Sequence, residues 1–298
     1  MHNPQSGYTV ALAVASAGIA LFSVMDVVMK GLSLGLGAYN AMLWRSLIGV
    51  VVAGILFLRS RPTLPEPAVI RLHVLRGLIL AIMAFLFFWG LKFLPVAEAV
   101  GLTFIAPLFA LYLARVLLKE TISRRAVIAS LIGLLGAGVI ITGRFSGQYD
   151  EETSKGIIAV LASALLYAYN LILQRQQALV ARPVEIAFFQ NCVLLALFGS
   201  LAPFFGEIPA PVFLSPLVAA AVLSIASLQM MSWAYARAPA NILLPVEYTA
   251  FVWAAILGWI VFDETVTPTT ILGTILIVAA CLVSARNWSS HEDDSAVA

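Results

Sequence analysis

The chain has 298 residues, of which 62% are hydrophobic and 11% charged, with a mean hydropathy of +1.00. Soluble domains carry roughly 25% charged residues, so this balance excludes an ordinary water-soluble domain. The net charge is only +2 and the basic residues are scattered, which excludes a nucleic-acid-binding surface.

A hydrocarbon core about 30 Å thick takes about 20 apolar residues per helical span. Apolar runs predict spans at 9–29, 38–58, 72–92, 95–118, 126–143, 156–174, 183–204, 214–236, 239–262 and 267–286. The runs are continuously apolar rather than alternating, which calls for helices and not a barrel. The expected fold class is therefore an all-α integral membrane bundle of ten transmembrane helices. No Lys or Arg precedes the first run and no small-residue cleavage site follows it, so it reads as a retained helix rather than a signal peptide. Pro107 and Pro245 fall inside the fourth and ninth spans, where they are expected to kink the helix and act as hinges. Ala129, Gly133 and Ala137 give the fifth span a small-residue face for close packing. Cys192 and Cys281 sit in apolar runs and act as small packing residues, supplying neither a disulfide framework nor a metal site. Residues 287–298, with Glu292, Asp293 and Asp294, form a polar tail expected to be disordered.

With the N-terminus inside, twelve cations fall on inner connections and helix ends, against four outside, Lys30, Lys92, Arg144 and Lys155. That asymmetry puts both termini in the cytoplasm. A shift of 144 residues lays Trp89 on Trp233, Pro95 on Pro239, Ala106 on Ala250, Ala110 on Ala254 and Glu120-Thr121 on Glu264-Thr265. A shift of about 145 to 147 brings Ser16 onto Ser163 and Trp44 onto Phe189. The chain is thus expected to be two halves of five helices, 1–145 and 150–286. Five is odd, so the second half enters the membrane from the opposite side. Arg124 and Arg125 follow the first Glu-Thr turn while no basic residue follows the second before Arg286, in keeping with that inversion. Inverted repeats enclosing a midplane site are the architecture of secondary transporters.

An ionisable side chain inside a span costs about 2.5 to 3.5 kcal/mol on insertion scales, so each one is a candidate for function. Asp26 and Lys30 are one turn apart on the first helix, and Arg45 lies about 10 Å into the second from the same side. Asp26 can reach either cation. The group reads either as a structural salt bridge joining two helices or as a charge pair that rearranges in transport or contacts a zwitterionic substrate. Glu247 follows Pro245 by two residues with no Lys or Arg nearby in sequence. Such a carboxylate suits proton coupling or a cationic ligand, unless an arginine of another helix pairs with it or it is held neutral. Glu98 reads as an interfacial residue facing headgroups or as a guard of the outer mouth, while Arg76 and Arg115 read as snorkelling to the inner interface. Neutral polar and aromatic residues gather at Tyr167, Tyr169, Asn170, Gln190, Asn191, Gln229, Trp233 and Tyr248, and at Phe85, Phe88 and Trp89. Any of these can instead serve packing, an interhelical hydrogen bond or an interfacial belt.

Several of these segments together resemble a known family. They are Phe22 to Asp26 with Lys30, then Arg45, then His73-Val74-Leu75-Arg76-Gly77, then Pro95 to Glu120 with its mid-span Pro and terminal Glu, and the counterpart from Ala238 to Glu264. Over nearly its whole length the chain resembles the EamA branch of the drug/metabolite transporter superfamily, and within it most resembles the S-adenosylmethionine uptake carriers. The resemblance implies a secondary carrier in a bacterial inner membrane for a small organic metabolite, amino-acid-, S-adenosylmethionine- or riboflavin-like. It also implies a cavity lined by helices 1, 3, 4, 6, 8 and 9, making Trp89, Trp233, Tyr169, Asn170 and Tyr248 candidate contacts beside Asp26, Lys30, Arg45 and Glu247. The expected partners are that metabolite, protons as coupling ion and the bilayer, in a monomer or homodimer, with no cofactor and no metal. Gly-x-x-x-x-Gly-Lys-Ser/Thr is absent, so ATP is not the direct energy source. A membrane-embedded enzyme would need a catalytic set, yet the histidines are His2, His73 and His291, without metal spacing or Gly-x-Ser-x-Gly. A channel or structural membrane protein would not require two inverted halves.

Overall fold

The computed structural model describes residues 4–61, 65–106, 151–238 and 249–285, together with 109–110, 113, 128, 131–132, 135–136, 138–140 and 243. Pro107, Pro245, Glu247, Tyr248, Arg115, Glu120, the small-residue face of 129, 133 and 137, and the tail 287–298 lie outside the described residues. The helices are α1 (Pro4–Arg59), α2 (Pro67–Gly90), α3 (Val96–Thr103), α4 (Glu151–Val180), α5 (Pro183–Phe205), α6 (Leu214–Arg237), α7 (Thr249–Phe262) and α8 (Pro268–Ala285). Among the described residues, Val10–Arg59 and the segments of α2, α4, α5 and α6 are long and apolar enough to cross a bilayer. This is an all-helical membrane protein with several apolar spans.

The first helix runs 56 residues, about 84 Å at 1.5 Å per residue, far more than one bilayer crossing. Gly37, at φ 77° and ψ 150°, divides it into arms 4–36 and 38–59. That backbone conformation is essentially restricted to glycine, which is why the chain turns there and not earlier. The first predicted span ends near Lys30, but the helix continues past it. Lys30 is buried there and donates to the Leu94 carbonyl. Elsewhere proline sets the starts, with α2 and α5 beginning at Pro67 and Pro183, where the missing N–H needs no helical acceptor.

Packing interleaves the two halves of the sequence. The kinked α1 lies mainly against α6 and α5, α2 against α4, and α3 against α7 and α4. At the crossing of α2 and α4, a Cβ on Gly90 would meet the Gly156 carbonyl oxygen at 3.0 Å, so both helices approach through glycine. The main core gathers Met25, Met29, Met42, Phe88, Leu91 and Leu194. Outward positions are also apolar, Phe204 and Leu58 among them, as contact with lipid tails requires.

Candidate functional site

A cavity opens where both arms of α1, the end of α3 and the bodies of α2, α4, α5 and α6 meet. Its polar lining comes from Asp26 and Arg45 of α1, Arg76 of α2, Asn170 and Gln174 of α4, and Gln190 of α5. Ser163, Ser224, Ser227 and Thr103 add hydroxyls, and Phe22, Phe87, Phe88 and Phe104 supply apolar wall. Asp26, Arg45 and Arg76 are each at most 7% exposed.

Arg76 is held by three side-chain amides of α4. Its Nε donates to Asn170 Oδ1 at 3.1 Å, one terminal nitrogen to Gln177 Oε1 at 2.5 Å and the other to Gln174 Oε1 at 3.2 Å. The planar fork thereby fixes its orientation while its charge stays uncancelled by those neutral partners. Behind it, the Gln177 amide donates to His73 Nδ1 at 2.6 Å, and His73 Nε2 meets Glu185 Oε1 at 3.0 Å. The His73 ring stacks on Phe189 at 4.7 Å. The expected snorkelling of Arg76 is thus corrected: the residue is buried, because three amides from the facing helix replace the water it would have sought. Glu98 is likewise 2% exposed and does not face headgroups.

Arg45 and Asp26 are far less completely paired. One Arg45 terminal nitrogen donates to Ser224 Oγ at 3.1 Å and the other approaches Met42 Sδ at 3.5 Å, while its Nε has no partner among the described residues. Asp26 Oδ1 and Gln190 Oε1 are also buried without a hydrogen bond there. Asp26 lies within electrostatic reach of Arg45.

Lys30 points elsewhere. Its Nζ donates to the Leu94 carbonyl at 2.8 Å and forms an ion pair with Glu264, whose other oxygen accepts the Val96 N–H at 2.8 Å and caps α3. A shift of 145 residues lays Phe22 on Tyr167, Lys30 on Arg175, Asn40 on Glu185, Trp44 on Phe189 and Arg45 on Gln190. The Lys30 contact follows that shift to within one residue. Arg175 donates to the carbonyls of Tyr235 and Ala238, and Ala238 precedes Pro239 as Leu94 precedes Pro95. Asn40 and Trp44 bind the backbone of Glu207 ahead of α6, whereas Glu185 and Phe189 hold His73 near the start of α2. Phe22 with Tyr167, and Arg45 with Gln190, all line the cavity.

Of the residues expected from sequence, Asp26, Arg45 and Asn170 come together at the cavity. Lys30 does not join them. Trp89 packs edge-on against Phe93 at 5.1 Å, Trp233 lies under the Arg237 guanidinium at 3.9 Å, and Tyr169 is half-buried, none of them lining the cavity. Arg76, Gln174 and Glu264 are the contributors that sequence reasoning did not assign to a site. The His-x-x-Arg run inside an apolar segment, and the Glu repeated after 144 residues, were their available signals. Among the described residues no group of three or more His, Cys, Asp or Glu could hold a metal ion.

The model of the EamA-like transporter family matches residues 8–142 and again 154–286. The pseudopaline exporter CntI of Pseudomonas aeruginosa is 27% identical over 268 residues, covering 89% of this chain and 92% of that protein. A riboflavin transporter of Rhizobium johnstonii is 25% identical over 299 residues, covering 97% and 95%. An S-adenosylmethionine uptake transporter of Rickettsia felis is 24% identical over 263 residues, covering 87% of each. A solved structure with 22% identity superposes with a TM-score of 0.66 over 94% of this chain and 99% of its own. With both halves matched by one family model, the chain belongs to the EamA-like transporter family, whose members carry small metabolites and are not enzymes.

Proposed function

We propose that the protein is a secondary active transporter that moves a small organic metabolite across a bacterial inner membrane by alternating access. Ten spans form two inverted halves, 1–145 and 150–286, with both termini in the cytoplasm. The strongest support is the cavity, a largely apolar chamber with buried charges that elements of both halves enclose. Charges so placed are expensive in a membrane and mark a ligand path. The matched carbonyl grips of Lys30 and Arg175 add to it, because equivalent contacts at the two ends of a bundle suit a machine that closes one end at a time. Relatives named for pseudopaline, riboflavin and S-adenosylmethionine point to metabolites of amino-acid, nucleoside or flavin type.

In purified proteoliposomes, labelled candidates should show saturable counterflow that responds to a pH gradient. Linear, unsaturable flux would identify a channel instead.

A further inference from the structure

We infer that the substrate carries a carboxylate and a cationic centre on one apolar body, the carboxylate bound by Arg45 and the cation by Asp26. This rests on the carrier reading and narrows it to a chemical class. A guanidinium has five N–H donors, yet Arg45 at 5% exposure spends its terminal nitrogens on one hydroxyl and one thioether and leaves Nε unanswered among the described residues. Among the described residues Asp26, at 7% exposure, leaves Oδ1 unanswered in the same cavity, and Gln190, at 9%, leaves Oε1 unanswered. Buried polar atoms are nearly always paired, and buried charges especially so. Three shortfalls around one chamber therefore describe a complementary guest.

The charges say which guest. Arg45 and Arg76 against Asp26 leave the described lining with one excess positive charge, which favours an anionic group. Arg76 is already oriented by its three amides and adds field, while Arg45 keeps free donors for a bidentate carboxylate. Asp26 Oδ1 and Gln190 Oε1 are acceptors, suited to an ammonium or another cationic donor. Phe22, Phe87, Phe88 and Phe104 leave room for an apolar or flat body beyond the charged head. A neutral flavin satisfies neither charge.

Thermal shift of the intact solubilised protein tests this with matched probes: S-adenosylmethionine, L-tryptophan and L-methionine, their decarboxylated amines, N-acetyl-L-tryptophan, methylthioadenosine and riboflavin. At least one zwitterion should stabilise the wild type, and its decarboxylated amine should bind at least about tenfold more weakly. Asp26→Asn should erase the preference for a free over an acetylated amine, and Arg45→Lys should shrink the preference for the carboxylate. If Arg45→Lys fails to fold, the wild-type ranking alone decides. Binding of riboflavin or of the decarboxylated amines as tightly as any zwitterion, or of no zwitterion at all, overturns the inference. Counterflow of riboflavin or of a decarboxylated amine would then leave the carrier reading standing, whereas unsaturable flux would remove both.

Discussion

Arg76 and Lys30 show how much a single cation's meaning depends on what faces it. Near the end of an apolar run, Arg76 reads from sequence as a snorkelling charge and Lys30 as an outer cation within reach of Asp26. In the structure Arg76 answers three amides 94 to 101 residues away and Lys30 answers a carboxylate 234 residues away. Local sequence carries no trace of such partners. Asp26 and Arg45 were legible because charges deep in a span have few bland explanations, and the cavity does gather them. Arg76→Lys replaces a planar fork by a point donor and strands part of the amide trio. It should cost about 2 kcal/mol and appear as a lower apparent melting temperature in detergent. Glu264→Gln leaves Lys30 buried without its counter-charge and should cost about 3 kcal/mol. The exchanged pair Lys30→Glu with Glu264→Lys should recover part of that loss, as a double-mutant cycle on folded yield would reveal.

Helices were the most legible elements, since apolar runs and proline starts are written locally. The predicted boundary at 183 coincides with the start of α5 at Pro183, and the other end of precision is the first span. There the break belongs to Gly37 and not to the charge at position 30, because backbone sterics and not polarity decide where an apolar helix turns. Gly37→Ala would force a Cβ into a region that only glycine occupies comfortably. The expected cost is about 1 to 3 kcal/mol, measured as a drop in apparent melting temperature. By contrast Gly31 has open space around its Cβ position, so Gly31→Ala should be neutral or slightly stabilising in the same measurement.

For the molecule as a whole, the 144-residue shift suggests a duplication, as does a family model that matches residues 8–142 and again 154–286. The interleaving of the halves was not visible, because it depends on which helix faces pair across the bilayer. It brings α1 against α6 and α2 against α4, so that the cavity belongs to both halves at once. Glu247 lies outside the described residues, and proton coupling there is a proposal from its sequence position two residues after Pro245. Glu247→Gln should leave the protein folded and flatten the pH dependence of transport, and an unchanged pH profile would dismiss that role.

The central claim, that two inverted halves expose one chamber to each face in turn, is tested most directly by pulsed electron paramagnetic resonance distances. Spin labels at Leu34 with Thr265 flank the Lys30 to Glu264 latch, and labels at Leu179 with Ala236 flank the grip of Arg175; all four positions are exposed. The account predicts that a bound substrate lengthens one distance while shortening the other. Two distances that widen together, or that never move when a transported compound is added, would contradict it.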